Sequence, residues 1–369
     1  MHLLSLEVQN YRNICAARLE PGRELTVICG NNGQGKTNLL EAIWLLTGGK
    51  SFRGGKDAEL VRRGEAFAVL EADTQRDRPE GCEPAEPAHI RMTVGTPEAA
   101  KPGRYAAVNG AAPKRAAALA GSFPAVVFDP GHLSLGKGSP EGRRRFLDAA
   151  LCQLYPGYVT LLRRYSRLVT QKNALLKSYW QTPDANGLLD VFDEKLAESG
   201  AAVSAKRQEY LALIEPEITG TYRDIASGSE TLAIQYEPSF EPEKGLAPVL
   251  RESRARDIAA GFCTAGPHRE DFSISVDGRA AKVFASQGQQ RSAVLSLKLA
   301  EAAGAQKITG EHPVMLLDDV LSELDETRQS YLLSRMEHRQ TIVTACDPDL
   351  FRRTSGRVYR MEGGILHAL

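Results

Sequence analysis

Four residues at fixed spacing near the N-terminus could hold a phosphate group. Gly30, Gly35, Lys36 and Thr37 fit the pattern G-x-x-x-x-G-K-[ST], in which backbone N–H groups curl around an anion. The lysine of such a loop reaches the β- and γ-phosphates of a nucleotide, and the threonine hydroxyl ligates Mg²⁺. We therefore predict a nucleotide site. Its loop residues are Gly30, Asn31, Asn32, Gly33, Gln34, Gly35, Lys36, Thr37 and Asn38.

An acidic pair, Asp318 and Asp319, follows a second apolar run, Val314 to Leu317, and could supply the rest of the chemistry. In a nucleotide-hydrolysing site, a carboxylate at the end of a buried strand helps to hold Mg²⁺, and a neighbouring carboxylate polarises the attacking water. We predict the first role for Asp318 and the second for Asp319. Taken alone, the stretch is also consistent with a strand that ends in an acidic turn and a helix N-cap.

The stretch SQGQQ, which begins at Ser286, opens an amphipathic helix and forms a second candidate anion site. A serine hydroxyl, backbone N–H groups exposed by a glycine and the helix dipole all favour a bound anion. Because the first loop already holds the phosphates, we infer that this turn completes the γ-phosphate site of a second protomer. An ordinary capped helix is the alternative. The residues assigned to the turn are Ser286, Gln287, Gly288 and Gln289.

These residues need elements that bring them together. The segment ELTVIC, which ends at Cys29, is typical of a buried strand, and the apolar spacing of TNLLEAIWLLTG from Thr37 predicts a helix directly after the loop. The late stretches PVMLLDD and QTIVTACD resume the alternation of strand and helix, which indicates an α/β fold. From about Ser139 to Ser227, long runs with helical spacing predict a helical arm.

The composition is that of an ordinary globular protein and excludes several classes. Of 369 residues, 42% are hydrophobic and 25% are charged, and 46 basic residues balance 46 acidic ones, so nucleic-acid binding would need a local basic patch. No apolar run reaches the length of a membrane span and no signal-peptide pattern occurs, so we expect a cytoplasmic protein. Six cysteines without a C-x-x-C pair give no support to a zinc site or a disulfide framework.

A local basic patch occurs between Ser139 and Trp180, where eight basic residues stand against two acidic ones. Such a cluster can neutralise DNA phosphates with little sequence preference, and its affinity falls steeply with salt. A solvated helix face is the alternative interpretation. We assign DNA contacts to Arg143, Arg144, Arg163, Arg164, Arg167 and Lys172, and a second candidate patch to Arg53, Arg62 and Arg63.

The order of these motifs resembles that of the ABC-type ATPases of the SMC and Rad50 class. Three further stretches, TGGKSFR from Thr47, GSPEGRRRFLD from Gly138 and GPHREDF from Gly266, are similar to those of the RecF family of bacterial recombination-repair ATPases. The resemblance covers essentially the whole chain. It implies an α/β ABC-type ATPase head, in which a P-loop NTPase lobe with a mixed β-sheet carries a second, largely helical lobe or arm.

The resemblance also implies a division of the chain and a mechanism. The expected parts are the ATPase lobe in residues 1–112 and 308–369, the helical arm in 113–270 and the signature-bearing part of the second lobe in 271–307. Binding of ATP and Mg²⁺ would dimerise two heads around duplex or gapped DNA, with Lys36 and Asp319 as catalytic residues. Ser286, Gly288 and Asp325 would lie at the dimer interface. Slow ATP hydrolysis would reset this switch, and the partners would be RecR and, functionally, RecO and RecA.

Two departures from the family pattern bear on hydrolysis. The stretch VVFDPGH, where we expect the lobe junction, contains no glutamine, and Thr344, Ala345 and Cys346 stand where a histidine often senses the γ-phosphate. Missing water-positioning groups lower the rate of hydrolysis without abolishing nucleotide binding, so we expect a weak ATPase. The alternative function is the ATP-energising subunit of another ABC-type machine. A P-loop kinase or GTPase does not account for SQGQQ.

Overall fold

A computed structural model describes residues 1–77, 83, 85–346 and 356–369. A central six-stranded sheet consists of β3 (Leu25–Cys29), β8 (Ala125–Phe128), β12 (Val314–Asp318), β13 (Thr341–Ala345), β14 (Arg357–Glu362) and β15 (Ile365–Ala368). The strand order is β15-β14-β3-β13-β12-β8. All neighbours are parallel except β14 and β15, which form an antiparallel hairpin.

The parallel strands end at one edge of this sheet, where the candidate site residues lie. The register pairs Asp318 with Thr344 and Leu317 with Phe128, while Ala345 pairs with Cys29. Four of these strands, β3, β8, β12 and β13, are buried almost throughout, as expected for parallel strands covered on both faces. The loops that follow them therefore start from fixed and adjacent positions.

A second, antiparallel sheet covers one side of the ATPase lobe. It consists of β1 (His2–Tyr11), β2 (Ile14–Leu19), β4 (Phe67–Gln75), β5 (Ala88–Gly95), β6 (Gly103–Val108) and β7 (Lys114–Arg115) in the order β2-β1-β4-β5-β6-β7. Helix α1 (Lys36–Leu45) shares an apolar core with both sheets, and eight of its ten residues are buried. This burial fixes the start of α1, and hence Lys36 and Thr37, relative to the central sheet.

The second lobe is mainly helical. Its helices are α2 (Pro140–Leu154), α3 (Tyr158–Lys177), α4 (Ala185–Ile225), α5 (Leu246–Ala260), the short α6 (Ala281–Phe284) and α7 (Gln287–Thr309). A three-stranded sheet, β11-β10-β9, adds β9 (Leu232–Glu237), β10 (Asp271–Val276) and β11 (Arg279–Ala280). Helix α4 has 41 residues, about 60 Å of helix, and packs against α3 and α7. Helix α8 (Glu326–Ser334) follows β12 in the ATPase lobe.

The predicted α/β head with a helical arm is confirmed. One predicted boundary needs correction, because β8 lies within the range 113–270 assigned to the arm yet pairs in parallel with β12 of the central sheet. Four buried residues, AVVF, were too short a run to be distinguished from the surrounding segment by periodicity. In the described part of the chain, no helix is long and apolar enough to cross a membrane.

Candidate functional site

The phosphate loop connects β3 to α1 and has the backbone shape that an anion site requires. Gly30 adopts φ 149°, and a Cβ atom there would lie 2.4 Å from the Met361 carbonyl oxygen, so only glycine fits. Lys36 is the first residue of α1 and is almost fully buried. Its Nζ donates hydrogen bonds to the carbonyl oxygens of Gly30 (2.7 Å) and Asn31 (3.3 Å). The ammonium group is therefore held at the mouth of the loop.

Polar contacts from distant segments hold two further loop residues, Asn32 and Gln34. Asn32 accepts a hydrogen bond from the Cys346 thiol (3.1 Å), and Gln34 accepts one from the Gly363 N–H through its side chain (2.6 Å). The Gly364 N–H donates to the Gln34 carbonyl oxygen (3.0 Å). The turn between β14 and β15 thus packs directly on the phosphate loop.

Three residues that contact the loop region were missed by sequence reasoning. Asn13 donates to the Gly33 carbonyl oxygen (3.2 Å) and accepts from the Asn38 side chain (2.7 Å), whereas Gly363 and Gly364 form the hairpin turn. A Gly-Gly pair between two strand-like runs is a recognised hairpin signal, so this turn could have been predicted from the sequence. No local pattern links Asn13 to a loop 20 residues away.

The first acidic residue and the loop threonine form one hydrogen-bonded group. Asp318 Oδ1 accepts bonds from the hydroxyls of Thr37 (2.9 Å) and Thr344 (2.9 Å). Burial, together with the nearby charges of Asp319 and Asp129, raises the pKa of Asp318, although the two hydroxyl bonds oppose this shift. A buried carboxylate beside a threonine hydroxyl, both facing a phosphate loop, fits the ligands that Mg²⁺ uses together with nucleotide phosphates.

The second acidic residue has a different environment. Asp319 adopts a left-handed conformation (φ 49°), and its backbone N–H donates to the Thr344 hydroxyl (2.9 Å). Its carboxylate is 30% exposed and lies 3.7 Å from Lys36 Nζ. The two aspartates thus point to different tasks, one toward the buried threonine pair and the other toward the solvent-accessible cleft.

The strand next to β12 supplies a polar pair that the sequence did not assign. Asp129 directly follows β8 and accepts a hydrogen bond from the Gly131 N–H (2.6 Å), and His132 Nδ1 lies 2.9 Å from the Asp129 carboxylate. Burial raises the pKa of Asp129, but contact with His132 outweighs it and the pKa is lowered. This segment is VVFDPGH, the expected lobe junction, which lacks the glutamine that ABC-type ATPases usually have there.

A cleft of about 180 Å³ lies over the phosphate loop. This volume is below the roughly 300–1,000 Å³ typical of pockets that enclose a small ligand. Arg53 of the second candidate basic patch lines this cleft. It donates a hydrogen bond to the Asn38 side-chain oxygen (2.6 Å). The residues that line the cleft are Asn32, Gly33, Gly35, Lys36, Thr37, Asn38, Arg53 and Asp319.

The SQGQ turn lies at the N-terminus of α7, as its pattern predicts. Ser286 accepts a hydrogen bond from the Gln289 N–H (3.2 Å), and the Gln289 side chain accepts one from the Ser286 N–H (2.7 Å), so the two form a capping box. Ser286 and Gln287 are exposed, and Gly288 is partly exposed. Within the described residues, none of this turn lines the cleft of its own chain.

Two of the six residues assigned to DNA are buried, and that part of the prediction is wrong. Arg143 is 5% exposed, and its guanidinium binds both Asp271 carboxylate oxygens (2.7 and 2.6 Å). Lys172 is fully buried between Asp193 (2.8 Å) and Asp257 (3.0 Å). A buried charge needs such partners because desolvation is costly, so both side chains connect elements of the helical lobe.

The other four residues have more solvent contact. Arg144 is partly buried and donates to the Glu270 carbonyl oxygen (2.6 Å). Arg163, Arg164 and Arg167 are exposed on α3, and Arg164 pairs with Glu198 (2.9 Å). The three exposed arginines remain candidates for contact with an external anion.

The raised pKa of Asp318 leads to a stability prediction. A carboxyl group whose pKa is higher in the folded state disfavours folding once ionised. This penalty is absent below the pKa of the unfolded chain, grows as the pH rises above it, and is complete above the pKa of the folded protein. Asparagine retains the oxygen that Thr37 and Thr344 bind. We expect D318N to raise the unfolding free energy of the nucleotide-free protein by about 1 kcal/mol, within the usual range for one stabilising substitution, because it removes the cost of burying a charge. Thermal unfolding at neutral pH measures this, and a lower melting temperature would contradict it.

The whole chain is similar in sequence to known proteins. The chain matches the family model described as RecF/RecN/SMC N terminal domain over residues 2–364. It is 37% identical to the DNA replication and repair protein RecF of Heliobacterium modesticaldum, covering 99% of both chains. It is 38% identical to the protein of the same name from Agathobacter rectalis, covering 95% of this chain and 94% of that relative.

The chain is also similar to solved protein structures. A structure of the recombination mediator protein RecF with ATP, in the RecFOR pathway, is 34% identical and has a TM-score of 0.88, covering all of this chain and 97% of that one. An Smc head domain bound to the C-terminal domain of ScpA from Pyrococcus furiosus, at 15% identity and a TM-score of 0.53, shares the fold alone.

Proposed function

The chain belongs to the RecF family within the SMC and ABC class of ATPases, and from this membership we propose that two copies bind ATP between them and close on DNA. Its role is recombinational DNA repair and replication, and it binds ATP. RecO and RecR are the partners that the RecFOR pathway of its relative implies, and RecA is the downstream protein that we propose. Closure of the dimer on gapped DNA would be the ATP-dependent step.

The observation that carries this proposal is the division of the phosphate-binding groups between two surfaces. The cleft contains Lys36 and Asp319 but is small and open, whereas Ser286 and Gln287 are exposed on another element. A helix N-terminus with free N–H groups favours a phosphate. A second copy that placed Ser286 over the cleft would complete the γ-phosphate site and exclude water from it.

The chemistry that we propose uses the two aspartates differently. Thr37 and Asp318 would hold Mg²⁺, which neutralises charge on the β- and γ-phosphates when it is bound. Lys36 would contact the same phosphates, and Asp319 would orient and deprotonate the attacking water. Cys346 Sγ lies 3.6 Å from Lys36 Nζ, in the segment where a histidine often senses the γ-phosphate. Because that histidine is missing, hydrolysis would be slow.

Sedimentation velocity with and without ATP tests the composite site. The wild type should be monomeric without nucleotide and dimeric with ATP and Mg²⁺, and ADP should not replace ATP. A chain that has the same mass with and without ATP would contradict the proposal.

Replacing three arginines of α3 with glutamine should lower the ATP-dependent affinity for DNA by at least about tenfold. The slope of log affinity against log salt concentration should become shallower by about three. The three residues are Arg163, Arg164 and Arg167. The slope falls because each arginine that contacts a phosphate releases a counterion. The measurement is binding to duplex, single-stranded and gapped DNA over a range of salt, with ATP present.

A matched control for this variant is the exposed set Lys307, Arg357 and Arg360, which lies outside α3. The same three glutamine changes there should leave the salt slope within error of wild type. Equal slopes for wild type and the α3 variant would place the DNA contacts elsewhere.

A further inference from the structure

The Arg328 side chain joins the signature turn, Ser286 to Gln289 at the start of α7, to Asp325 at the end of the loop that follows the aspartate pair. Its Nη2 donates to the Gly288 carbonyl oxygen (3.0 Å), and its Nε donates to the Ser292 hydroxyl (2.9 Å), both on α7. Its Nη1 pairs with the carboxylate of Asp325, the N-cap of α8. All three nitrogens of one guanidinium group are therefore engaged, and 40 residues separate Arg328 from Gly288.

The glycine in the signature turn fits this contact. A Cβ atom at position 288 would lie 3.2 Å from Arg328 Nη2, closer than side chains usually pack. The Asp325 carboxylate also accepts the backbone N–H of Arg328 (3.1 Å), so the first turn of α8 is fixed at the same time. Helix α7 and the start of α8 are thus joined through Arg328, which is only about one-fifth exposed there.

We propose that Arg328 is a positioning residue that holds Ser286–Gly288 and Asp325 in one arrangement suited to a second copy of the chain. This inference rests on the proposed dimer, because both segments are assigned to its interface. Arginine is suited to this role, since its planar fork reaches three acceptors at once, whereas lysine offers a single ammonium group. Arg328 would act through the signature turn and would not touch the nucleotide of its own chain.

The test compares R328K and R328A with wild type in three measurements. The dimer dissociation constant in ATP, from sedimentation velocity, should rise by at least about tenfold in both variants, as expected for loss of charged hydrogen bonds. The affinity of each chain for a fluorescent ATP analogue should stay within about twofold, because the cleft is unchanged. Amide exchange in residues 287–291 of the nucleotide-free protein should become faster.

R335A is the matched control, since Arg335 follows α8 directly and pairs with Asp224 (2.9 Å), away from the signature turn. It should dimerise like wild type. If R328A fails to fold, S292A removes one of the three contacts and should give a smaller increase in the same dissociation constant.

The possible results of these measurements distinguish the proposed dimer from the proposed role of Arg328. A wild type that stays monomeric in ATP would contradict the proposed dimer itself. A wild type that dimerises, together with an R328K variant that dimerises equally well and shows unchanged amide exchange, would overturn the role of Arg328 alone. Equal losses of ATP affinity and dimerisation would also overturn it, because they indicate general damage to the fold.

Discussion

The D319N substitution is expected to lower ATP turnover by about 10²- to 10³-fold while ATP binding persists, because it removes the group proposed to deprotonate the attacking water. Asp319 adopts φ 49°, a conformation that asparagine tolerates well, so the backbone should stay in place. The Thr344 hydroxyl binds the backbone N–H of residue 319, which the substitution does not alter. Single-turnover phosphate release measures the chemical step directly.

The same D319N variant should accumulate as an ATP-bound dimer, since hydrolysis is the proposed reset. D277N is a suitable control, because Asp277 also adopts a left-handed conformation (φ 48°) but lies at the β10–β11 turn. D277N should turn over ATP at the wild-type rate. Turnover in D319N equal to wild type would remove Asp319 from the catalytic role.

The S286R substitution is expected to raise the dimer dissociation constant in ATP by at least about 100-fold, since a bulky side chain at the centre of an interface costs several kcal/mol. Ser286 is exposed in the single chain, so its replacement should leave the cleft and nucleotide affinity unchanged. DNA binding that depends on ATP should be lost with the dimer. Sedimentation velocity and nucleotide titration of the same preparation separate the two effects.

Two control variants distinguish the steric effect of the added arginine from the loss of the helix N-cap. S286A removes the hydroxyl that binds the Gln289 N–H and should cost about 1 kcal/mol of helix stability without adding volume. S139R adds an arginine at another exposed N-cap, that of α2, and should dimerise normally. An S286R protein that dimerises like wild type would contradict the shared site.

The nucleotide cleft was largely predictable because its chemistry is local. Gly30 to Asn38 are nine consecutive residues, and the strand before them and the helix after them have clear periodic patterns. The acidic pair could be assigned because it directly follows the apolar run Val314 to Leu317. Parallel strands end at a common edge, so this order of strands and loops already implies that Lys36 and Asp319 lie close together.

Prediction of the DNA-binding residues was less successful because charge in a sequence carries no information about burial. Arg143 and Arg163 look equivalent in a basic helical segment, yet the first binds Asp271, which is 128 residues away, and the second is exposed. Lys172 similarly pairs with Asp257, 85 residues away. These pairs form because α2 packs against β10 and α3 packs against α4 and α5, and no local pattern encodes that packing.

Short motifs were enough to recognise the family resemblance. Local spacing was enough to predict the α/β head, its helical arm and the phosphate loop, because glycine freedom and hydrophobic periodicity are properties of consecutive residues. Which charged side chains stay exposed depends on three-dimensional packing, which the sequence patterns do not encode. That packing placed Asn13 and the Gly363–Gly364 turn on the phosphate loop, placed β8 in the central sheet, and joined Arg328 to Gly288. These contacts depend on the relative positions of distant segments, which are fixed when the shared apolar cores pack and exclude water.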